Sequence, residues 1–264
     1  MSNWGSRGWV ALLAGFLAAT GPLAATDGPA LPFGRSLAGG QELPLPFGIG
    51  LTVYGQQQEY QLAKLAFGLP GVAIDPGQLQ IDNSIEDFNV QFDVWLFPFL
   101  NVFGLVGNVD GKTTVDFSGV EGLPVPLGRL RIDYDGEMYG GGLTLVGGND
   151  YWFGSVTAIW TQQDLSGEFE SDAEAMVISP RIGLRNRRGA FWVGATYQDA
   201  QETHQGTIVL PFLGPVAFDV ELEDQHPWNF HVGGATSISE HWALHLEGGL
   251  AQRRTAEFGV TYRF

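Results

Sequence analysis

The 264-residue chain contains no cysteine. That excludes disulfides, thiol catalysis and thiolate metal sites, and it suits an exported bacterial protein that does without disulfides. Basic residues are scarce: 13 Lys and Arg stand against 29 Asp and Glu, a formal net charge of −16. This balance argues against nucleic acid as a partner, because phosphate binding needs a basic surface. Beyond residue 25 there is no run of 18 apolar residues, so no helix is long and apolar enough to span a bilayer. What the chain has in quantity is glycine, 38 residues, and aromatics, 12%. Glycine eases strand curvature and aromatics gather at membrane interfaces, so both suit a membrane barrel.

Residues 1–25 carry one positive charge, Arg7, then the apolar run Trp9–Ala19 and the small-residue stretch Leu23-Ala24-Ala25. This is the pattern of a secretory signal peptide cleaved after Ala25. Gly15, Gly21 and Pro22 interrupt the run and argue against a membrane anchor. Loss of Arg7 with the peptide leaves 29 acidic against 12 basic residues. An exported chain without a spanning helix can still be a membrane protein, because a closed β-barrel satisfies its own backbone.

The last nine residues alternate strictly. Ala256, Phe258, Val260, Tyr262 and Phe264 fall on one face, and Glu257, Gly259, Thr261 and Arg263 on the other. Period 2 is a strand with one apolar and one polar face, and nine residues cross a bilayer when tilted. The segment resembles the terminal strand of bacterial outer-membrane β-barrels, whose last residue is usually Phe. That resemblance implies an antiparallel transmembrane barrel in the outer membrane, exported through the Sec pathway. Its implied partners are outer-membrane lipid and lipopolysaccharide, and the barrel-assembly machinery that recognises the terminal strand. It covers the mature chain but carries no residue roles with it. A soluble β-sandwich would alternate too, without needing aromatics at the strand ends.

Four short turns are expected at Phe97–Phe99, Gly147–Asp150, Asn186–Gly189 and Ser237–Glu240. They are bordered by Trp95, Phe97, Tyr151, Trp152, Phe153, Phe191, Trp192 and Trp242. With Tyr262 and Phe264 these predict one aromatic girdle on the periplasmic side. Intervals of two strands and a long loop between turns give ten strands, with twelve or eight as the alternatives. The expected layout is a periplasmic segment over 26–46 and a barrel over 47–264. In the clearest strand, Asp87–Phe97, Phe88, Val90, Phe92, Val94 and Leu96 face lipid, and Asp87, Asn89, Gln91 and Asp93 face inward.

Extending the rule of apolar outside and polar inside gives an expected lumen lining. It comprises Asp93, Arg131, Asp133, Asp135, Glu137, Arg181, Arg185, Asp219, Glu221, Glu223, His231, His245, Glu247, Glu257 and Arg263. Charges of both signs could pair into a packed polar core, since desolvated charges must pair. Their acidic excess could instead favour cations along a narrow path, and the acidic strand ends could hold a divalent cation through oxygen ligands. His241 and His245 share an inward face about 13 Å apart on a strand, too far to co-ligate one metal. No metal site and no cofactor is expected.

The long loops are unusually apolar, with Leu-Pro beside Gly around residues 65–74, 122–128 and 208–216. Phe67, Leu69, Leu123, Val125, Leu210 and Phe212 are the candidate contacts. Such tips bury themselves in one of three ways: as a lid on one another, around a small hydrophobic ligand, or against a protein partner. Tyr60–Phe67 could form a short amphipathic helix. No catalytic residue is assigned: there is no Gly-x-Ser-x-Gly and no His-Glu-x-x-His. His204 and His226 are expected near the strand tops, close to Glu202, Glu223 and Asp224, where a His–carboxylate pair could serve as acid and base or form a solvated polar rim. The leading expectation is a small barrel that binds or passes a small, hydrophobic molecule. A structural or partner-binding barrel is the alternative, and a membrane-embedded hydrolase comes third.

Overall fold

The structure, a computed structural model, describes residues 31–67, 78–119, 128–167, 170–210 and 214–264. Leu69, Leu123, Val125 and Phe212 lie outside the described residues, as do residues 1–30. Phe67 and Leu210 are described only as strand backbone.

Eleven strands form one antiparallel sheet. They are β1 (Phe47–Phe67), β2 (Gln80–Phe97), β3 (Leu100–Asp116), β4 (Arg129–Gly148), β5 (Trp152–Gly167) and β6 (Glu170–Asn186), followed by β7 (Gly189–Leu210), β8 (Gly214–Asp224), β9 (Trp228–Ser237), β10 (Trp242–Leu250) and β11 (Arg254–Arg263). The ring closes where the terminal strand was expected to close it. Gly48 pairs with Arg263, and Phe47 and Phe264 exchange backbone hydrogen bonds of 3.2 and 3.0 Å. All four expected short turns are present. Tyr60–Phe67 is not a helix but the continuation of β1, paired with β2 at Tyr60 and with β8 from Tyr60 to Phe67.

The ten-strand expectation counted residues 217–235 as one strand, but this stretch is split at Gln225–Pro227 into β8 and β9. The break changes the strand number with height. Near the chain ends the ring is β1 to β7 followed by β9, β10 and β11, ten strands. The β10–β11 hairpin stops at Ala251–Arg253. Above it, β8 pairs with β7 through Gln201–Leu210 and with β1 through Tyr60–Phe67, which closes a ring of eight.

The outward faces mark a membrane belt. On β2 Phe88 and Phe92 are exposed, on β1 Leu51 and Val53, on β6 Ile182 and Leu184, and on β9 Phe230 and Val232. Burial of such apolar surface in lipid is what holds the barrel across a bilayer. Trp152, Phe191, Trp242, Tyr262 and Phe264 form the expected lower girdle on the outside. Trp95, Phe153 and Trp192 alternate to the inner face instead. A second girdle caps the belt: Tyr139 meets Trp160 at a ring distance of 6.4 Å, and Tyr197 meets Trp228 at 5.3 Å.

Above the second girdle the polarity of the wall inverts. On β4 the outward positions continue as Glu137, Asp135, Asp133 and Arg131, and Arg131 and Asp133 are each 59% exposed in their side chains. Their inward neighbours Ile132, Tyr134 and Met138 are buried. On β8 Leu222 and Val216 are buried inside, while Asp219 pairs outside with Lys64 at 2.8 Å and Glu223 accepts from Gln61 at 2.7 Å. Arg131, Asp133, Asp135, Glu137, Asp219, Glu221 and Glu223 therefore do not line the lumen. Outside the wall is lipid at the belt but water above it, so the same alternation carries charge outward there. Inside, an eight-strand ring is just filled by side chains. Val109, Ile132, Tyr134, Leu165 and Ala173 pack as one core, and Tyr60, Ile81 and Leu222 as another.

Candidate functional site

Three layers fill the barrel. At the chain-terminal end Asp93 accepts from Asn101 Nδ2 at 2.6 Å and from Arg263 Nη1 at 3.0 Å. Arg263 also donates to Leu45 O at 3.4 Å and lies 6.0 Å from the centre of the Trp95 ring. The segment 31–46 runs along this rim. Phe33 N donates to Leu96 O at 2.8 Å, and Gln41 Nε2 reaches Gly148 O at 3.1 Å. This is the lower lock.

The upper lock is a fully buried polar network set in the apolar core. Tyr60 and Tyr134 donate to Glu202 Oε1 at 3.4 and 3.3 Å. His204 Nε2 stands 3.2 Å from Glu202 Oε2, and His204 Nδ1 stands 2.6 Å from Ser171 Oγ. Asn83 donates to the Tyr134 hydroxyl at 2.8 Å and to Thr113 at 2.9 Å. Tyr134 fits because it faces Gly111 on β3, where a Cβ would overlap its ring. Ser171, His204 and Glu202 form a line of hydroxyl, imidazole and carboxylate. Glu202 is 2% exposed and His204 1%, so no open cleft presents that hydroxyl to a substrate. His226, the other histidine expected near the mouth, is exposed at the bend after β8.

Between the locks lies a cavity of about 210 Å³. Its walls are mixed. On β2 to β6 the lining joins the apolar Ile85, Leu105, Met138, Ile159, Ala175 and Val177 to the polar Asp87, Asn89, Thr157, Thr161, Gln163, Ser179 and Arg181. On β1, β7 and β9 to β11 it is polar, with Tyr54, Gln56, Gln198, Asn229, His231, Glu247, Arg253 and Glu257. Glu247 accepts from Arg181 Nη2 at 3.1 Å and from Trp192 Nε1 at 2.6 Å. His245 Nε2 stands 2.9 Å from Glu257 Oε1, and His231 Nδ1 stands 2.9 Å from Thr196 Oγ1. Thus Asp93, Arg181, His231, His245, Glu247, Glu257 and Arg263 face the lumen as the alternation required. Arg185 has inward parity near the lower end of β6.

The lumen groups that alternation did not bring forward include Tyr54, Gln56, Tyr60, Tyr134, Ser171, Gln198, Asn229 and Arg253. Tyr60, Tyr134 and Ser171 sit on faces whose role changes above the upper girdle. Arg253 follows the β10–β11 turn, where nothing in Arg253-Arg254 says which of the pair turns inward.

Asp224 ends β8 above the belt, accepting from Ala200 N at 3.0 Å. Burial pushes its carboxyl up to about 6. The neutral form is therefore favoured by the fold, and that stabilisation is complete below about pH 4 and lost as pH rises through about 6. We expect Asp224→Asn to match the wild type in denaturant midpoint at pH 4. At pH 8 it should be more stable by about 2–3 kcal/mol. Equal differences at the two pH values would rule this out.

No family model and no curated protein sequence matches the chain. Among solved structures it is similar to the outer membrane protein OprG from Pseudomonas aeruginosa, at 13% identity over 84% of this chain and 98% of that one, TM-score 0.44. It is also similar to the transport unit of the autotransporter AIDA-I from Escherichia coli, at 10% identity over 83% and 90%, TM-score 0.44. The Pseudomonas putida toluene transporter TodX shares 10% identity over 89% and 90%, TM-score 0.33. All three are outer-membrane β-barrels. Likeness at this level carries no function with it. This chain is an antiparallel transmembrane β-barrel of the outer-membrane kind on its own closure, belt and girdles.

Proposed function

We propose that the protein binds a small molecule in its lumen and passes it across the outer membrane. The observation that carries this reading is the unfilled cavity at belt height. A purely structural barrel of this width fills itself with side chains. Here the filling stops between two locks, and several buried polar atoms lining the space have no partner among the described residues: His231 Nε2, Gln163 Oε1, and Arg253 Nε and Nη1. An apolar patch at Leu105, Met138, Ile159 and Val177 within an otherwise polar lining suits a molecule with an apolar body and a polar end. The apolar loops would then collect it from outside, and the locks would open for it to move. Export through the Sec pathway and insertion by the assembly machinery at Ala256–Phe264 belong to the same reading.

The two hydrogen-bonded locks favour one other reading, a non-conducting barrel whose loops bind a partner. Planar-bilayer recording separates them. Passage predicts brief, small openings, and small amphipathic solutes should raise the melting temperature of the detergent-solubilised barrel. A silent bilayer together with no thermal shift would sink the transport and binding reading.

A further inference from the structure

Where ten strands become eight, the hairpin turn Ala251–Arg253 ends beneath β8 and sends Arg253 into the cavity. Arg253 is 2% exposed, and its Nε and Nη1 have no hydrogen-bond partner among the described residues. The other two lumen arginines with assigned contacts are each neutralised, Arg181 by Glu247 and Arg263 by Asp93. The carboxylates at the cavity are also taken: Glu247 by Arg181 and Trp192, Glu257 by His245, Glu202 by two tyrosines, Asp87 by Asn89 and Glu174 by Trp160. Asp224, above the cavity, acts on Arg253 electrostatically but accepts its hydrogen bonds from Ala200 N and Gln198. Arg253 has no ion pair of its own among the described residues. A guanidinium never sheds its proton, and a buried one needs acceptors.

We propose that Arg253 receives the carboxylate of a small acid whose apolar body lies against Leu105, Met138, Ile159 and Val177. This rests on the small-molecule reading above and names the ligand class. The charge-assisted bond to Arg253 selects the anion, because it is about twice as strong as a neutral hydrogen bond. Leu105, Met138, Ile159 and Val177 offer the hydrocarbon an apolar patch. Size agrees: a cavity of ~150 Å³ holds benzene, and this one is about 210 Å³.

The test uses benzoate and its neutral analogue benzamide, titrated against the full-length barrel folded in detergent and followed by calorimetry. Benzoate should bind at least about tenfold tighter than benzamide. Arg253→Gln should abolish that preference while leaving benzamide binding unchanged, and Arg253→Lys should keep part of it. The heat-dependent gel mobility of each variant confirms that it has folded. Equal binding of the two probes to the wild type, or a preference that survives Arg253→Gln, overturns the role of Arg253 and leaves the small-molecule reading standing. Absence of binding by either probe overturns it too. If the bilayer is also silent, both readings fall together.

Discussion

Phe92→Arg should destabilise the folded barrel by about 2–4 kcal/mol, whereas Asp135→Arg should change its stability by less than about 0.5 kcal/mol. Both positions are exposed and face away from the lumen. Phe92 sits at the middle of the apolar series Phe88–Leu96 on β2, the expected centre of the belt. A guanidinium there is surrounded by hydrocarbon and must thin the bilayer or drag in water. Asp135 lies above the Tyr139–Trp160 pair, where the same outward direction meets water. The added charge there even offsets its acidic neighbours Asp133 and Glu137. Guanidinium titration in phospholipid reads both values. Comparable losses at the two positions would contradict an inversion of polarity at the upper girdle, and the lumen assignment would need redrawing.

The second large effect concerns the upper lock. Glu202→Ala strands the hydroxyls of Tyr60 and Tyr134 and one nitrogen of His204, all of them buried. Each of these three orphaned buried groups costs about 1–3 kcal/mol, so a loss of roughly 3–9 kcal/mol is expected. Glu202→Gln keeps an oxygen for the tyrosines and should lose about 1–2 kcal/mol. The same order should appear in function. With the network broken, the top of the barrel opens more readily, and bilayer recording should show longer open times in Glu202→Ala than in Glu202→Gln or wild type. A variant as stable as wild type would mean that the apolar core alone closes the barrel.

The class of fold was legible because the belt imposes a simple rule. Within the bilayer one face meets lipid and the other does not, so Asp87–Phe97 and Ala256–Phe264 declare their inward and outward residues without any partner. The short turns were legible for the same reason, since aromatics bracket them at the lower interface. The rule failed at Arg131–Glu137 and Asp219–Glu223. A charged residue in an alternating strand has the same pattern whether it points to a wet lumen or to open water above the membrane. Only the height along the strand distinguishes the two, and height follows from register with neighbouring strands.

The candidate site was legible in part. Asp93, Arg181, His231, His245, Glu247 and Arg263 all lie at or below the upper girdle, and alternation placed each of them inside. Their pairings could not be read, because Arg181 meets Glu247 across 66 positions and Arg263 meets Asp93 across 170. Glu202 and His204 stood out as neighbours, but they were expected at a solvated mouth rather than locked under two tyrosines.

That the protein is a membrane barrel closed by Ala256–Phe264 could be read along the chain alone, because solvent contrast acts on each residue separately and leaves its period there. The tertiary structure decided where the belt ends, where ten strands become eight, and that Arg253 turns into a cavity while Arg254 stays outside. Those depend on which strands pair at which height, a relation between distant residues that no local pattern records.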